Sequence, residues 1–336
     1  MGRPDVVLDV RETSHMSAGM LAYVRALRRL LPRVVPDLRV AHAGHGDNFD
    51  LAEQVGLPLA LARMRPRLAH LPTPFVPRVV PVPYVVTVHD VIDLEFPRFA
   101  KRKVGPYWRY VAGPVLRGAR AVITDDDVTV PLLERYLGVD PARVRVIPLG
   151  VDAPDPMPPP EARERPYFFY AGNARPHKDL LTLVTAWASL PGAPPVDLVM
   201  TGARTGELHH AASGAGGLLV FTGDCDEDRV WALHRGALAY VQPSLREGFG
   251  LPLLEALRAG TPAIASDAAA PAVLRPYVQS YPARDVAALR ALLARAIDAH
   301  DTLAEAAARA REATAHLTWE RTVRETVRLY RELIAA

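Results

Sequence analysis

Apolar residues in this chain follow two patterns that alternate along its length. Short, mainly apolar runs such as residues 5–10 predict buried strands. Longer stretches such as residues 19–31 carry apolar side chains at every third or fourth position, which predicts helices with one face packed on a sheet. The repeated order of strand and helix, clearest from residue 167 to residue 265, predicts an α/β fold with parallel, doubly wound sheets.

A proline-dense stretch interrupts this order near the middle of the chain. Residues 153–166 read APDPMPPPEARERP, a sequence that forms neither a helix nor an inner strand. The 336 residues also suit two domains of ordinary size. We therefore expect a first domain over residues 1–150, a linker over residues 151–165 and a second domain over residues 166–318.

Residues 239–267 show the most informative pattern, in which a strand, a polar loop, a helix and a second strand follow one another. The loop ends in Gly248, Phe249 and Gly250, and a helix is predicted from Leu251. Glycines at a helix start leave backbone N–H groups open. Together with the positive end of the helix dipole, these groups form a site for a phosphate or pyrophosphate.

Two carboxylates frame this turn, Glu247 before the helix and Glu255 in its first turns. A carboxylate such as Glu255 is able to accept hydrogen bonds from sugar hydroxyls beside a bound anion. The structural alternative is a tight strand-to-helix turn with two solvated glutamates.

The sequence EGFGLPLLE at residues 247–255 closely resembles the two-glutamate motif of the family-4 retaining glycosyltransferases, which depend on nucleotide sugars. The resemblance implies a GT-B fold, with two facing Rossmann-like domains, parallel sheets and a cleft between them. It also implies that a C-terminal helix, here about 319–336, joins the first domain. Glu255 would then hold the donor ribose. The donor sugar and its phosphates would contact Glu247, Gly248, Phe249, Gly250 and Leu251.

A second glycine turn, residues 172–179, follows a predicted strand and contains Lys178, one of three lysines in the chain. A compact ammonium after the carboxyl end of a strand suits a diphosphate. The loop is similar to the phosphate loop of the family but has Asn173 at the position of the usual Arg. The resemblance therefore assigns Asn173, Arg175 and Lys178 to the donor phosphates, with Arg175 replacing the missing charge. An exposed lysine without a ligand is the alternative.

The first domain is predicted to contribute His89, which follows a β-rich run at residues 84–88. Ligands of α/β sheets bind at the carboxyl ends of strands, and the matching T-x-H-D motif of the family places a histidine beside the transferred sugar. A structural histidine is the alternative. The resemblance also assigns Gly19 to the region of the acceptor and donor phosphate, although the residues after it depart from the family pattern. By the same resemblance, Gly223 borders the nucleotide base.

Three consecutive aspartates at residues 125–127 follow a predicted strand. They resemble an Asp-x-Asp metal site, but the family starts a helix at this point, and acidic residues at a helix N-terminus are stabilising without a metal. We therefore predict a helix start. We also expect no resident metal and no cofactor, because the nucleotide diphosphate sugar is a co-substrate.

The composition of the chain indicates the cellular compartment in which the protein is expected. Cys225 is the single cysteine of the sequence, which excludes an intramolecular disulfide and fits a reducing environment. No apolar run reaches the length of a membrane span, and the first residues form a charged strand unlike a signal peptide. We therefore expect a cytoplasmic protein.

Positive charge is concentrated in the first part of the chain. Residues 1–150 contain 21 Lys and Arg against 15 Asp and Glu, whereas the remainder contains 19 against 22. Residues 96–117 interleave aromatic and basic side chains, a pattern compatible with anionic lipid head groups or nucleic acid. We expect an amphipathic helix with packed aromatics and no nucleic-acid partner. Peripheral contact of this segment with the inner face of a membrane stays open.

These features predict a retaining glycosyltransferase that transfers a hexose-type sugar from a nucleotide diphosphate sugar to an acceptor hydroxyl. The acceptor is a saccharide, a lipid-linked molecule or a small natural product. His89, Lys178 and Glu247 are the candidate catalytic residues. Two alternatives stay open, namely a sugar-nucleotide epimerase of the same fold and a non-catalytic partner that binds a nucleotide sugar.

Overall fold

The structure of the protein is a computed structural model that describes residues 3–14, 16–47, 50, 52–191, 195–202 and 205–335. The chain forms two compact units. Unit 1 comprises Met1–Gly150 together with Leu317–Ala336, and unit 2 comprises Val151–His316. Residues 151–165 thus belong to unit 2, in which the amide of Glu161 donates to the carbonyl of Ala232 at 2.9 Å.

Unit 1 is built on six parallel strands in its described part. They are β1 (Val6–Asp9), β2 (Val40–Ala43), β3 (Leu68–Leu71), β4 (Tyr84–Thr87), β5 (Ala121–Thr124) and β6 (Val144–Val146). Their order in the sheet is β2-β1-β3-β4-β5-β6. Val6 of β1 pairs with Val40 on one side and with Leu68 on the other, so the strand order reverses between β1 and β3.

Helical segments join the strands of unit 1. They are α1 (Ala18–Val34), α2 (Leu57–Met64), α3 (Ile92–Glu95), α4 (Val104–Tyr107), α5 (Gly113–Gly118) and α6 (Thr129–Leu137), with π-helical turns at Ala52–Gly56 and Trp108–Ala112 and a 3-10 turn at Pro141–Arg143. The side chain of Ser17 accepts the amide of Met20 and caps α1. Leu27 and Leu31 are buried on the face that the helical period predicted.

Unit 2 is built on a second set of six parallel strands in its described part. They are β7 (Tyr167–Tyr170), β8 (Asp197–Met200), β9 (Leu219–Phe221), β10 (Ala239–Gln242), β11 (Ala263–Ser266) and β12 (Gln279–Tyr281). Their order is β12-β11-β10-β7-β8-β9. The chain runs outward from β7 to β9 and then returns to place β10 on the other side of β7. The strand order therefore reverses between β7 and β10, where doubly wound sheets bind their ligands.

Helices also join the strands of unit 2. They are α7 (Leu180–Ala188), α8 (Gly206–Ala211), α9 (Glu227–Gly236), α10 (Leu251–Ala259), α11 (Val286–Asp298) and α12 (His300–Ala313), with 3-10 turns at Pro176–Lys178 and Arg275–Tyr277. The core lies between sheet and helices and includes Phe168, Leu198 and Leu293, all fully buried. Removing this much apolar surface from water is the main source of stability of the unit.

Helix α13 (Trp319–Ala335) belongs to unit 1 although it follows unit 2 in the chain. Its buried face includes Val323, Val327 and Tyr330 and packs against α1 and β3. Where α13 joins unit 1, the backbone at Gly150 lies against the backbone at Thr318. A Cβ at Gly150 would lie 2.1 Å from the carbonyl carbon of Thr318. Only glycine fits at this position.

Candidate active site

The strand order of unit 2 places two loops side by side. The loop at residues 171–179 follows β7 and the loop at residues 243–250 follows β10, its neighbour in the sheet. The amide of Leu245 donates to the carbonyl of His177 at 2.8 Å and joins the two loops. Residues far apart in the chain thus meet at the carboxyl edge of the sheet.

Lys178 and Glu247 form an ion pair at this edge. The Nζ of Lys178 lies 2.7 Å from each carboxylate oxygen of Glu247, and the two side chains are only 15% and 10% exposed. Solvent screens such a pair weakly, so the attraction holds both groups in one geometry. The sequence assigned the two residues to different parts of a ligand, and the structure shows that they contact each other.

A chain of hydrogen-bonded polar side chains fixes the position of the Glu247 carboxylate. Ser244 Oγ and Gln242 Nε2 both donate to Glu247 Oε1, and Gln242 Nε2 also donates to Ser244 Oγ at 3.1 Å. The hydroxyl of Tyr240 donates to Gln242 Oε1. Burial, followed by the neighbouring Tyr170, raises the pKa of Tyr240 well above its ordinary value. The phenol therefore stays protonated, which fixes the direction of the hydrogen-bond chain.

Helix α10 begins four residues after Glu247. It starts at Leu251 as predicted, and the described residues offer no side chain that caps it. Its first amides and the positive end of its dipole are therefore available to an anion. Gly250, at φ +75°, makes the turn into the helix, a backbone conformation that favours glycine. Phe249 is buried and anchors the loop.

Glu255 lies in the second turn of α10 with a side chain that is 27% exposed. Its Oε2 is 3.8 Å from Nε2 of His234, which is fully buried. The His234 ring packs edge-on against Phe169 with 4.9 Å between centroids. It packs at a tilt against Tyr240, with 5.1 Å between centroids. A packed ring therefore supports the side of α10 from which Glu255 projects.

The other residues of unit 2 that were predicted to bind the nucleotide-sugar donor lie at different distances from the Lys178–Glu247 pair. Asn173 and Arg175 are exposed in the loop after β7, where Asn173 Oδ1 accepts the amide of Arg175 at 3.2 Å. Asn173 thus shapes the loop and leaves the guanidinium of Arg175 at its surface. Gly223 follows β9, which is two strands from β7 and so about 10 Å away across the sheet.

Unit 1 contains a second pair of candidate groups. His89 follows β4, and Asp125 follows the neighbouring β5. Nδ1 of His89 lies 2.7 Å from Oδ2 of Asp125, and the two side chains are 7% and 1% exposed. Burial acts to lower the pKa of His89, but the charge and hydrogen bond of Asp125 outweigh it and raise this pKa above its ordinary value.

The prediction that residues 125–127 start a helix was wrong. Helix α6 begins only at Thr129, after Val128, and no described side chain caps it. Aspartate is a common helix cap, which misled the local interpretation, whereas Asp125 in fact turns inward to His89. Among the described residues, no group of three or more His, Cys, Asp or Glu is arranged to hold a metal ion.

The strand-order reversal of unit 1 is occupied by Arg11. Its Nη2 donates to Asp9 Oδ2 at 2.7 Å and to the carbonyl of Phe75 at 3.0 Å, and its Nη1 lies 3.6 Å from Glu53 Oε1. The Arg11 and Asp9 side chains are almost completely buried. Gly19 lies in the first turn of α1, near the predicted helix start.

The basic and aromatic segment at residues 96–117 is only partly packed. From Val104 to Gly118 it runs as consecutive helical pieces, in which Trp108 is buried as expected. Tyr110 and Phe99 are 59% and 37% exposed, contrary to the expectation of packed aromatics. In the part of the chain that the structure describes, no helix combines the length and the apolar character needed to cross a bilayer.

Two family models match the chain in succession. A model described as Glycosyltransferase Family 4 matches residues 4–155, and a model described as Glycosyl transferases group 1 matches residues 155–313. The chain belongs to the family-4 glycosyltransferases. The resemblance carried by EGFGLPLLE is thereby confirmed.

Several known proteins are similar to this family-4 chain. The 2-deoxystreptamine N-acetyl-D-glucosaminyltransferase of Streptomyces fradiae is 31% identical over 217 residues, which cover 58% of this chain and 51% of that protein. An O-antigen chain mannosyltransferase of Salmonella typhimurium is 25% identical over 190 residues, which cover 54% and 51%. The chain spans about half the length of these two relatives.

Solved structures show the fold of this family-4 chain. The sucrose-phosphate synthase of Thermosynechococcus elongatus superposes with a TM-score of 0.76 over 99% of this chain and 100% of that one, at 19% identity. This likeness concerns the fold alone. Together with the two six-stranded parallel sheets, it confirms the predicted α/β class and GT-B fold.

Sequence reasoning missed four polar residues that touch or support the candidate groups of this family-4 chain, namely Gln242, Ser244 and His234 in unit 2 and Asp125 in unit 1. A signal existed for Gln242 and Ser244, because both come directly after a predicted strand and before Glu247. A signal existed for Asp125 too, since it follows the strand after that of His89. His234 gave none, because a single histidine in a helix is usually a packing residue.

Proposed function

We propose that this family-4 chain is a retaining glycosyltransferase that transfers a hexose-type sugar from a nucleotide diphosphate sugar to an acceptor hydroxyl. The observation behind the proposal is the Lys178–Glu247 ion pair at the strand-order reversal of unit 2, four residues before the open start of α10. Relatives named as an N-acetylglucosaminyltransferase and a mannosyltransferase support a hexose-type donor.

The proposed transfer requires positive charge at the leaving group. When the bond between the anomeric carbon and the diphosphate breaks, negative charge builds on the diphosphate, and preorganised cations and dipoles lower the barrier. Lys178, the N-terminus of α10 and the exposed Arg175 supply that charge. Because these groups neutralise the diphosphate, we assign no resident metal to the reaction.

Glu247 is assigned to the donor sugar. In the unliganded protein it neutralises Lys178, whose ammonium would otherwise be costly to hold in so little solvent. When a diphosphate reaches Lys178, Ser244 and Gln242 still fix the carboxylate, which then accepts hydrogen bonds from sugar hydroxyls. A carboxylate that receives several hydrogen bonds is a poor nucleophile, so we assign it orientation and no covalent intermediate.

The nucleoside is assigned to the rest of the same edge. The part-exposed Glu255 accepts hydrogen bonds from the ribose, and the phosphates lie against the amides of residues 248–251. Gly223 borders the base, and a Cβ built there meets no described atom within 4 Å, which leaves space beside it.

The acceptor is assigned to His89 of unit 1, as a polar contact to acceptor or sugar hydroxyls. The names of the two relatives mention 2-deoxystreptamine, a small molecule, and an O-antigen chain, a saccharide. Acceptors of both kinds, together with lipid-linked saccharides, therefore belong in a screen.

The experiment is a thermal-shift screen against UDP-, GDP- and dTDP-sugars, followed by mass spectrometry of acceptor mixtures with the best donor. We expect one nucleotide class to raise the melting temperature, and a product heavier than the acceptor by one sugar residue. Proton NMR of the product should show the anomeric configuration of the donor, and EDTA should leave the rate unchanged. Glu247→Gln should abolish product, whereas Glu207→Gln, an exposed carboxylate of the same unit, should not.

Other outcomes would contradict the proposal in distinct ways. Absence of stabilisation by every nucleotide and nucleotide sugar would argue against donor binding as a whole. An inverted anomeric configuration would refute retention alone. Interconversion of a free nucleotide sugar without any acceptor would favour an epimerase.

We also propose that residues 96–117 make peripheral contact with an anionic membrane face, which would place a cytoplasmic protein at the inner membrane surface. The guanidinium of Arg98 lies over the exposed ring of Phe99 at 4.7 Å, and that of Arg109 lies over Tyr110 at 5.5 Å. Cations and aromatic rings are thus presented together on the surface, as in segments that bind lipid interfaces.

Co-sedimentation with phosphatidylserine-containing vesicles tests this contact. The triple variant Lys101→Glu, Arg102→Glu, Lys103→Glu reverses three exposed charges and should abolish binding. Vesicles of phosphatidylcholine alone are the control. Binding that survives the charge reversal would rule the contact out.

A further inference from the structure

The buried pair of His89 and Asp125 keeps one polar atom of each residue unused. Nε2 of His89 and Oδ1 of Asp125 are buried and have no hydrogen-bond partner among the described residues. Leaving buried polar atoms unpaired costs free energy, and nearly all such atoms in proteins are paired. Nε2 is therefore a candidate to pair with a ligand.

The bond to Asp125 decides which ring nitrogen of His89 is available. The carboxylate accepts the Nδ1 proton at 2.7 Å, so a neutral ring carries its lone pair on Nε2. Asp125 also stabilises the charged ring, which is why the pKa of His89 is raised although the ring is buried. Asp125 thus controls both the tautomer and the charge of His89.

Packing prevents the His89 ring from turning. Tyr23 meets it edge-on, with 5.0 Å between centroids and 87° between planes. The Tyr23 hydroxyl is paired with Thr87 Oγ1 at 3.1 Å, and Thr87 Oγ1 is paired with His70 Nε2 at 2.8 Å. Tyr23 belongs to α1, and Thr87 and His70 belong to β4 and β3, so contacts from two strands hold Tyr23 against the ring.

The groups that face His89 fix the sign of its response to pH. Asp125 and, more weakly, Asp90 and the Pro72 carbonyl raise the pKa of His89. Burial lowers the pKa of His70 to about 3, so that ring stays neutral. Burial raises the pKa of Tyr23, which stays protonated, and burial likewise raises that of Asp125, with a smaller contribution from Asp126.

We propose that Asp125 is a positioning residue for the transfer reaction: by accepting the Nδ1 proton of His89, it presents the Nε2 lone pair to the hydroxyl group of the sugar acceptor. This inference rests on the proposed function, in which His89 contacts that hydroxyl. The hydroxyl donates its hydrogen bond to Nε2. During transfer its proton moves to Nε2, the hydroxyl oxygen forms the new bond to the anomeric carbon, and the bond between the anomeric carbon and the diphosphate oxygen breaks. The neutral ring is the competent form, because only it offers an acceptor.

The first test observes the imidazole directly. Long-range proton–nitrogen NMR spectra report the tautomer and pKa of each histidine, and a His89→Gln spectrum identifies the signals of His89. Asp125→Asn has nearly the same volume but no charge, so the pKa of His89 should fall by about 1 unit or more and the Nδ1-lone-pair tautomer should increase. Asp127→Asn removes an exposed carboxylate two residues away and is the matched control.

The second test measures transfer. In Asp125→Asn, kcat/KM for the acceptor should fall about 10- to 100-fold, the range found for residues that orient metal-bound histidines. The acid limb of the pH profile should move to lower pH with the pKa of His89, since the neutral ring then persists in more acid. KM for the donor should be unchanged, and Asp125→Glu, which retains a carboxylate, should recover part of the loss.

Melting temperatures must first show that each variant is folded. Two results would then overturn the inference itself. An unchanged tautomer and pKa of His89 in Asp125→Asn would show that Asp125 does not control the ring. Altered NMR signals with unchanged acceptor kinetics and pH profile would show a purely structural pair. Failure of the proposed function has a different signature, in which the wild-type protein binds no nucleotide sugar and forms no product, and the positioning role then falls with it.

Discussion

Both units place an ion pair where their strand order reverses, but only one of the two pairs is open to a ligand. In unit 2, Lys178 and Glu247 lie part-exposed on loops between a glycine turn and an uncapped helix start. In unit 1, Arg11 and Asp9 are sealed from solvent, and the following helix is already capped by Ser17.

The difference teaches that strand-order reversal by itself does not make a binding site. Nε and Nη2 of Arg11 donate to Asp9, and Nη2 also donates to the Phe75 carbonyl, so the guanidinium acts as part of the core. The buried polar atoms of unit 1 that lack a hydrogen-bond partner in the described part of the chain include Arg11 Nη1 and, at the next strand ends, His89 Nε2 and Asp125 Oδ1. Exposure of the charge and a free helix N-terminus are what distinguish the position in unit 2.

Arg11→Met gives the largest expected effect on this comparison. Removing the guanidinium leaves the carboxylates of Asp9 and Glu53 buried without the cation beside them, which costs about 3–5 kcal/mol of unfolding free energy. Urea unfolding measures the loss. Arg25→Met removes a mostly exposed arginine paired with Glu12 and should cost less than about 1 kcal/mol. An Arg11→Met protein that stayed stable but no longer bound nucleotide would contradict the comparison, because the Arg11–Asp9 pair would then serve binding and not stability.

Lys178→Met should act on function more than on stability. Ser244 and Gln242 still hold Glu247, so the fold remains, while the rate of transfer should fall about 100- to 1,000-fold because one preorganised cation is lost. Initial rates and the thermal shift with nucleoside diphosphate measure this. Lys101→Met, an exposed lysine of unit 1, is the control. Normal rates in Lys178→Met would remove the main support for the proposed site.

The smallest expected effect concerns acid stability. Burial lowers the pKa of His70 to about 3, so the unfolded chain takes up a proton near pH 6.5 that the folded protein does not. Stability therefore decreases as pH falls from about 6.5 toward 3. His177 of unit 2, with a pKa lowered to about 4 by burial and Lys178, acts in the same direction. Hydrogen exchange resolved by mass spectrometry separates the two units.

His70→Gln should flatten the pH dependence in unit 1 only. Glutamine is able to keep hydrogen bonds to Tyr330 and Thr87 but takes up no proton in this range. His316→Gln, at an exposed position, is the control and should leave the slope unchanged. An unchanged slope in His70→Gln would mean that another group is responsible.

Local patterns predicted those parts of the protein that depend on local physics. The start of α10 at Leu251 and its end before Gly260 follow from glycine and helix-start preferences within one short stretch. The alternation of strands and helices likewise fixed the α/β class. Asp125 was misinterpreted for the same reason, since its sequence neighbours favour a helix start while its partner His89 is 36 residues away.

The contacts of the candidate site depend on strand order, which periodicity does not encode. Lys178 and Glu247 are 69 residues apart and meet only because β10 pairs with β7 and not with β9. The motif resemblance assigned both residues to the nucleotide-sugar donor. It did not predict their ion pair or the hydrogen bonds from Gln242 and Ser244, because these contacts depend on the strand order of the folded sheet.

Helix α13 sets an order of events during synthesis. Its Tyr330 is completely buried in unit 1 and bonds to His70 of β3, yet the ribosome makes this helix only after all of unit 2. Unit 2 therefore has its whole sequence available while α1 and β3 still lack the helix that covers them. Of the two units, unit 1 begins to emerge first and is completed last. Until α13 docks, unit 1 exposes apolar surface, and surface of this kind favours aggregation and chaperone binding.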